Sequence, residues 1–139
     1  MTTDAFDHIR RSFDAQSMMR TFGASLKRIE PGRVVVEAPI LPGSRQQHGF
    51  GHAGFTFANG DSAAGYSAIS VLPPDREVMT TEMKINLLAP AKGELLRATG
   101  RVVKPGRRLV IVTAEVHAIE GDKETLVALL QGTMLPLDA

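Results

Sequence analysis

Residues 52–68 read HAGFTFANGDSAAGYSA, and this stretch decides the fold. Small side chains dominate its later part, and they are Ala58, Gly60, Ser62, Ala63, Ala64, Gly65, Ser67 and Ala68. Because glycine disfavours helix formation, a helix over residues 54–70 has to be held by tertiary packing rather than by propensity. Small side chains let a neighbouring backbone come close. We therefore predict a buried helix in close contact with another element.

Strand-like segments flank this helix. Residues 24–30 and 33–40 read as two strands joined at Pro31-Gly32. Four further strands follow the helix, at residues 77–90, 93–104, 107–120 and 123–137. Every second side chain from Val110 to Ala118 is apolar, which is typical of a half-buried antiparallel strand. Tight turns join the last three strands into a meander, so the fold class is predicted to be α+β.

The chain is expected to form one domain, because its 139 residues can bury a substantial core. This domain would span residues 1–139, with an N-terminal helix at about 4–15 and the core at about 24–137. Thr3 or Asp4 can cap the N-terminal helix. The side chains at helical spacing are Ala5, Ile9, Phe13 and Gln16.

Composition excludes several classes of function. The chain has no cysteine, which excludes disulfides, thiolate metal sites and a cysteine nucleophile. Its formal net charge of +1 gives no electrostatic footprint for nucleic acid. The polar, acidic N-terminal stretch is unlike a secretory signal, and no apolar run approaches the ~20 residues of a membrane helix. We expect a soluble, cytoplasmic protein without nucleic-acid or membrane partners.

Residues 49–54 match the dinucleotide-binding pattern G-x-G-x-x-G. That pattern needs a buried strand before the first glycine and a parallel βαβ unit around it. Here a polar loop, GSRQQH, precedes Gly49, and a meander follows the helix. The context therefore argues against a nucleotide site.

His48 and His52 are four residues apart, and Asp61 would add a carboxylate to a metal site. Gly49 and Gly51 lie between the histidines, so the helical geometry that would point both rings at one ion is not expected. Local hydrogen bonds are the favoured role for the histidines, and no metal site is predicted.

Asp61 is the most informative residue of the helix, because a carboxylate among small apolar side chains is costly to bury without a partner or a function. It can face solvent, bond to a hydroxyl such as Ser62, or act on a ligand. The glycine-rich entry and the small neighbours leave room for a ligand, which favours the functional interpretation.

Two stretches resemble one family. Residues 52–68 resemble the H-G-G-x6-D-x-A-x-G motif of hotdog-fold acyl-CoA thioesterases. Residues 80–108, TTEMKINLLAPAKGELLRATGRVVKPGRR, resemble the T-x-E-x-K-I-N-x-x-x-P-A strand and the following strand of that family. The phenylacetate-pathway (PaaI-like) group and its 4-hydroxybenzoyl-CoA thioesterase relatives are the most alike, over roughly residues 24–137. The resemblance implies a hotdog fold, in which an antiparallel sheet wraps around a central helix.

The resemblance also implies an activity, the hydrolysis of an acyl-CoA or aryl-CoA thioester to free acid and CoA. No cofactor is implied, because coenzyme A is part of the substrate. Asp61 takes the position of the catalytic carboxylate, as base or nucleophile, and Gly54 that of the glycine whose backbone N–H polarises the carbonyl. His52 matches the motif histidine, Gln46 an assisting amide, and Thr80 a hydroxyl that orients water or the carboxylate.

The sequence departs from the family motif at two places. Ala53 replaces the middle glycine, and Asn59-Gly60 replaces the usual Leu-Ala before the aspartate. Because of the second change, the motif does not determine the local geometry of the helix or part of the substrate pocket.

The spacing of Gly54 and Asp61 predicts a shared site. Seven helical residues separate their atoms by ~10 Å along the axis, so one thioester carbon cannot easily meet both from the same helix. If two helices meet antiparallel at a subunit interface, Gly54 of one chain can face Asp61 of the other. We therefore expect a homodimer with two shared sites, and a homotetramer is compatible with it.

Two further groups are candidates for substrate binding. Lys104, Arg107 and Arg108 surround one turn and suit the phosphates of coenzyme A, although a solvated turn explains them equally well. Phe55, with Phe50 and Phe57, can line an acyl pocket, and at least one of the three is expected in the core. Tyr66 and His117 receive no role.

Two other functions occur on a hotdog fold. A non-catalytic hotdog module would bind acyl-CoA without turnover, and Asp61 at the expected position argues against it. A hotdog dehydratase or hydratase would carry a differently placed histidine and a segment of the type H-F-P-x-x-P-x-x-P-G, which is not found here.

Overall fold

The computed structural model describes residues 4–138. Its helices are α1 (Asp7–Ala15), α2 (Ser17–Thr21) and α3 (Ala53–Ile69), with a single 3-10 turn at Pro42–Ser44. Its strands are β1 (Ser25–Glu30), β2 (Arg33–Pro39), β3 (Arg76–Leu87), β4 (Leu95–Lys104), β5 (Val110–Glu120) and β6 (Lys123–Asp138). No helix in this part of the chain is long and apolar enough to cross a membrane.

The six strands form one antiparallel sheet in the order β1-β2-β4-β5-β6-β3. Strands β4, β5 and β6 are sequential neighbours, which confirms the predicted meander. The inward side chains of β5 from Val110 to Ala118 are buried and their neighbours are more exposed, as the alternation predicted. Since the pairings in the sheet are antiparallel, the βαβ unit that a dinucleotide site needs is not present among residues 4–138.

Helix α3 lies across one face of the sheet and contacts β2, β3, β4, β5 and β6. Its small residues permit this approach. A Cβ built on Gly100 of β4 would lie 2.2 Å from the carbonyl oxygen of Ala63, and one built on Gly60 would lie 2.9 Å from Leu130. The sheet around a central small-residue helix confirms the predicted hotdog fold.

The N-terminal helix is present but begins later than predicted. It starts at Asp7 rather than at residue 4, and the residue before it, Phe6, makes no side-chain cap. The Asp4 carboxylate instead accepts the Phe6 N–H at 3.0 Å in the preceding turn, while Thr3 lies outside the described residues. Ile9 and Phe13 are buried, so the predicted apolar face is correct there. A second short helix, α2, follows at Ser17–Thr21, between the two predicted segments.

The sheet register shows which candidate site residues lie at the same end of the sheet. Thr80 of β3 is paired with Met134 of β6, and Met134 is paired with Val110 of β5. Because neighbouring strands lie ~4.8 Å apart, this row brings the start of β5 to within ~10 Å of Thr80. The connection between β4 and β5, with its basic residues, therefore lies at the same end of the sheet as Thr80.

Candidate active site

His52 shapes the entry of α3. It adopts an extended conformation (φ −67°, ψ 145°), and its Nδ1 accepts the Gly54 N–H at 2.8 Å. A histidine nitrogen thus takes the capping role that serine, threonine or aspartate usually has. The N–H that the resemblance assigns to carbonyl polarisation is therefore engaged in this structure. Of the neighbouring N–H groups, that of Ala53 has no acceptor among residues 4–138.

Gln46 organises the loop before α3. Its Oε1 accepts the backbone N–H groups of His48 at 2.6 Å and Phe50 at 3.2 Å. Gln46 and His52 line the same groove, which has a volume of about 450 Å³ and is continued by Leu87 and Pro90. The structure thus brings Gln46, His52 and the start of α3 together.

Asp61 lies about two helical turns after the start of α3, at the middle of the helix, and is half-buried. Its Oδ1 accepts a hydrogen bond of 2.8 Å from Thr80 Oγ1, which also lies 3.3 Å from Met134 Sδ. Burial raises the pKa of the Asp61 carboxyl, and the Thr80 hydrogen bond opposes that increase. Desolvation therefore prevails, and Asp61 is a stronger base than an aspartate in water.

A cleft of about 170 Å³ opens beside Asp61 and Thr80. Its far wall contains Tyr66 of α3 and Glu77 of β3, together with Ser12 and Gln16 from the N-terminal segment. These four residues were not predicted. The sequence indicates a polar contact at Gln16, because this polar residue continues the inward spacing of Ile9 and Phe13.

The candidate residues form two groups within one chain. Asp61 and Thr80 lie in the cleft, whereas Gln46, His52 and Gly54 lie at the start of α3. The seven-residue separation of Gly54 and Asp61 corresponds to ~10 Å of helix.

The candidate substrate-binding residues have different surroundings. Lys104, Arg107 and Arg108 are exposed at the connection of β4 and β5. Phe55 is only 2% exposed, and its ring packs edge-on against Phe22 with a centroid separation of 5.1 Å. Phe55 contributes to the wall of a groove of about 330 Å³ that also contains Gly54. Phe50 lies in the larger groove beside Gln46.

The histidines of the α3 entry are placed differently from metal ligands. His48 and His52 are both exposed, and the Nδ1 of His52 is occupied by the helix cap. Among residues 4–138, no group of three or more histidine, aspartate or glutamate side chains is arranged to hold a metal ion.

Comparisons with known proteins agree with the sequence motifs. The model of the thioesterase superfamily matches residues 48–125, more than half of the chain. A 1,4-dihydroxy-2-naphthoyl-CoA hydrolase from Listeria monocytogenes is 27% identical over 90 residues, which cover 65% of this chain and 73% of that protein.

Solved structures agree as well. The crystal structure of a thioesterase family protein from Silicibacter pomeroyi has a TM-score of 0.95 at 38% identity, covering 98% of this chain and 100% of that chain. The PaaI protein of the E. coli phenylacetic acid degradation operon has a TM-score of 0.87, covering 97% of this chain and 94% of that chain, and at 19% identity this likeness shows the fold alone. The chain belongs to the thioesterase superfamily and is a thioester hydrolase.

Proposed function

We propose that this protein hydrolyses an acyl-CoA or aryl-CoA thioester to the free acid and CoA. The observation that carries the proposal is the half-buried Asp61, held by Thr80 at the edge of a cleft. As a general base, Asp61 takes a proton from water while the water oxygen attacks the carbonyl carbon. As a nucleophile, it attacks that carbon itself, and water then cleaves the anhydride. In both routes the carbon–sulfur bond breaks and CoA leaves as the thiol or thiolate.

The oxyanion that develops during attack needs hydrogen-bond donors, and the start of α3 supplies N–H groups and a favourable dipole. Gly54 remains a candidate donor, but its N–H becomes available only if the His52 side chain turns away. The Ala53 N–H needs no such movement. We therefore propose the backbone N–H groups of Ala53 and Gly54 as the oxyanion donors, with Ala53 as the principal one.

A site shared by two protomers fits the exposed edge of the sheet. Strand β3 is the last strand on its side, so one row of its backbone groups is free to pair with a second chain. Met79 and Leu87 of this strand are 53% and 57% exposed. Pairing of two β3 edges would place the α3 helices side by side and antiparallel. The N–H groups at the start of one helix can then face the partner's Asp61.

The phosphates of CoA are assigned to Lys104, Arg107 and Arg108. These three side chains are exposed and lie at the Thr80 end of the sheet. Gln46 and His52 are proposed to hold the loop and the first turn of α3 in position beside the thioester.

A panel of short, medium, long and aryl acyl-CoAs tests the proposal. Thiol release can be followed with a thiol reagent, because the chain has no cysteine that would react. Turnover of at least one thioester is expected, and Asp61→Asn is expected to abolish it. Saturable binding without turnover of any thioester would instead support a binding protein, and undiminished turnover by Asp61→Asn would refute the assigned role of Asp61.

A further inference from the structure

The cleft beside Asp61 has a definite direction. Asp61 contacts Thr80, and one turn later a Cβ built on Gly65 would lie 3.8 Å from Val78. Helix α3 and strand β3 therefore run antiparallel along the cleft. The cleft extends from the reacting carboxylate toward Tyr66 and Glu77, about 10 Å away at ~3.3 Å per strand residue.

The far end of this cleft is built from hydrogen-bonding groups. The Tyr66 hydroxyl lies 3.0 Å from Ser12 Oγ and accepts a hydrogen bond from Gln16 Nε2. Tyr66 is 3% exposed, and its ring packs against Phe13 with a centroid separation of 5.9 Å. The phenol is therefore fixed in place, and helix α1 with the residue after it supplies its partners.

These contacts leave acceptors at the end of the cleft. The Gln16 amide donates to Tyr66, so its carbonyl oxygen is available as an acceptor. Glu77 borders the cleft from an exposed position of β3, next to the half-buried Val78. A methyl-ended acyl chain placed here would remove water from these groups without replacing its hydrogen bonds. An acyl group that ends in a carboxylate would meet the like charges of Glu77 and Asp61.

We propose that the acyl group is short and ends in a hydroxyl, which Ser12 and Gln16 recognise while Tyr66 positions them. This inference rests on the proposed thioester hydrolysis and names its substrate class. The length of about 10 Å between Asp61 and this end of the cleft, at ~3.3 Å per strand residue, suits a short acyl chain. Helix α1 thereby determines both the length and the polarity of the acyl group.

Three CoA thioesters of matched length test the proposal on the full chain, namely 6-hydroxyhexanoyl-CoA, hexanoyl-CoA and adipoyl-CoA. We expect kcat/KM for 6-hydroxyhexanoyl-CoA to exceed that for hexanoyl-CoA at least ~10-fold, because a site built to bond a hydroxyl rejects an analogue that lacks it. Adipoyl-CoA is expected to be the slowest of the three. A ratio near one, or a preference for hexanoyl-CoA or adipoyl-CoA, would overturn the proposal.

Two variants test whether Gln16 and Tyr66 cause the preference for 6-hydroxyhexanoyl-CoA over hexanoyl-CoA. Gln16→Leu and Tyr66→Phe are each expected to reduce the preference at least threefold while hexanoyl-CoA hydrolysis is retained, which also shows that the variants fold. Ser17→Ala, an exposed substitution in α2, is the control and should leave the preference unchanged. A preference that survives both Gln16→Leu and Tyr66→Phe would overturn the assignment to the α1 wall.

Binding separates this inference from the proposed function. Dissociation constants of the same three thioesters are measured by calorimetry on Asp61→Asn. The hydroxyl-ended thioester is expected to bind this variant at least ~10-fold more tightly than hexanoyl-CoA. Preferential binding without turnover by the unmodified chain would support the substrate class and refute hydrolysis. Turnover without preferential binding of the hydroxyl-ended thioester would support hydrolysis and refute the proposed substrate class.

Discussion

Thr80 Oγ1 donates a 2.8 Å hydrogen bond to Asp61 Oδ1, joining the edge strand β3 to the centre of helix α3. Burial raises the pKa of the Asp61 carboxyl and this bond opposes the increase. Thr80 therefore fixes the direction of one carboxylate oxygen and moderates the basicity of the group. Two consequences can be measured separately, one on the rate and one on its pH dependence.

Thr80→Val should lower kcat/KM about 10-fold, the usual effect of losing one hydrogen bond to a charged group. The pKa of Asp61 should rise further, because the interaction that lowers it is removed. Since the carboxylate is the active form, the acidic limb of the pH–rate profile should move to higher pH. Thr81→Val is the control, because Thr81 is exposed and bonds to the Thr133 carbonyl instead. An unshifted acidic limb in Thr80→Val would contradict this account.

The raised pKa of Asp61 also has a consequence for stability. The folded chain retains the Asp61 proton at pH values where the unfolded chain, with a pKa near 3.8, has lost it. The contribution of Asp61 to stability therefore falls as pH rises from the unfolded pKa through the folded pKa. Asp61→Asn should raise the melting temperature at pH 7, and this gain should disappear in acid. Thermal unfolding of both chains across pH 3–8 checks this, and an equal gain at every pH would exclude titration of Asp61 as its cause.

The sequence predicts the fold well, for a physical reason. Small residues in α3 and alternation in β5 are local patterns that directly reflect contact with the sheet, so the sheet around a helix follows from them. The acyl end of the cleft depends on where α1 packs, and this is a long-range contact between Gln16 and Tyr66 that leaves no local pattern. The cap on Gly54 depends on a histidine rotamer, which the sequence does not encode by spacing.

Ala53→Pro distinguishes the two candidate oxyanion donors. Proline is well tolerated at the first helical position, and the extended conformation of His52 suits a residue before proline. The substitution removes the Ala53 N–H and leaves that of Gly54. We expect kcat to fall ~10²-fold or more with little change in melting temperature. Unchanged kcat would return the donor role to Gly54 and require His52 to move during the reaction.

Arg107→Ala and Arg108→Ala test the proposed CoA phosphate contacts. Each change should raise KM for acyl-CoA several-fold and leave kcat nearly unchanged, because the phosphates are remote from the reacting carbon. The effect should shrink at high ionic strength, since exposed charges are screened. Arg11→Ala is the matched control, an exposed arginine of α1 that pairs with Asp7. The measurement is steady-state kinetics of each variant at two salt concentrations. If KM is unchanged in Arg107→Ala and Arg108→Ala, the basic residues belong to a solvated turn and do not bind the phosphates.

Hybrid dimers test whether the site is shared. In a dimer of one Ala53→Pro chain and one Asp61→Asn chain, the intact helix start of the second chain faces the intact Asp61 of the first. One site of each hybrid is then complete and the other lacks both groups. Random exchange of equal amounts makes half of the dimers hybrid, so about a quarter of the wild-type activity should return. Subunit exchange is verified by mass spectrometry of an isotope-labelled chain. If exchange is complete and activity stays at the level of the separate variants, Asp61 acts with the helix start of its own chain.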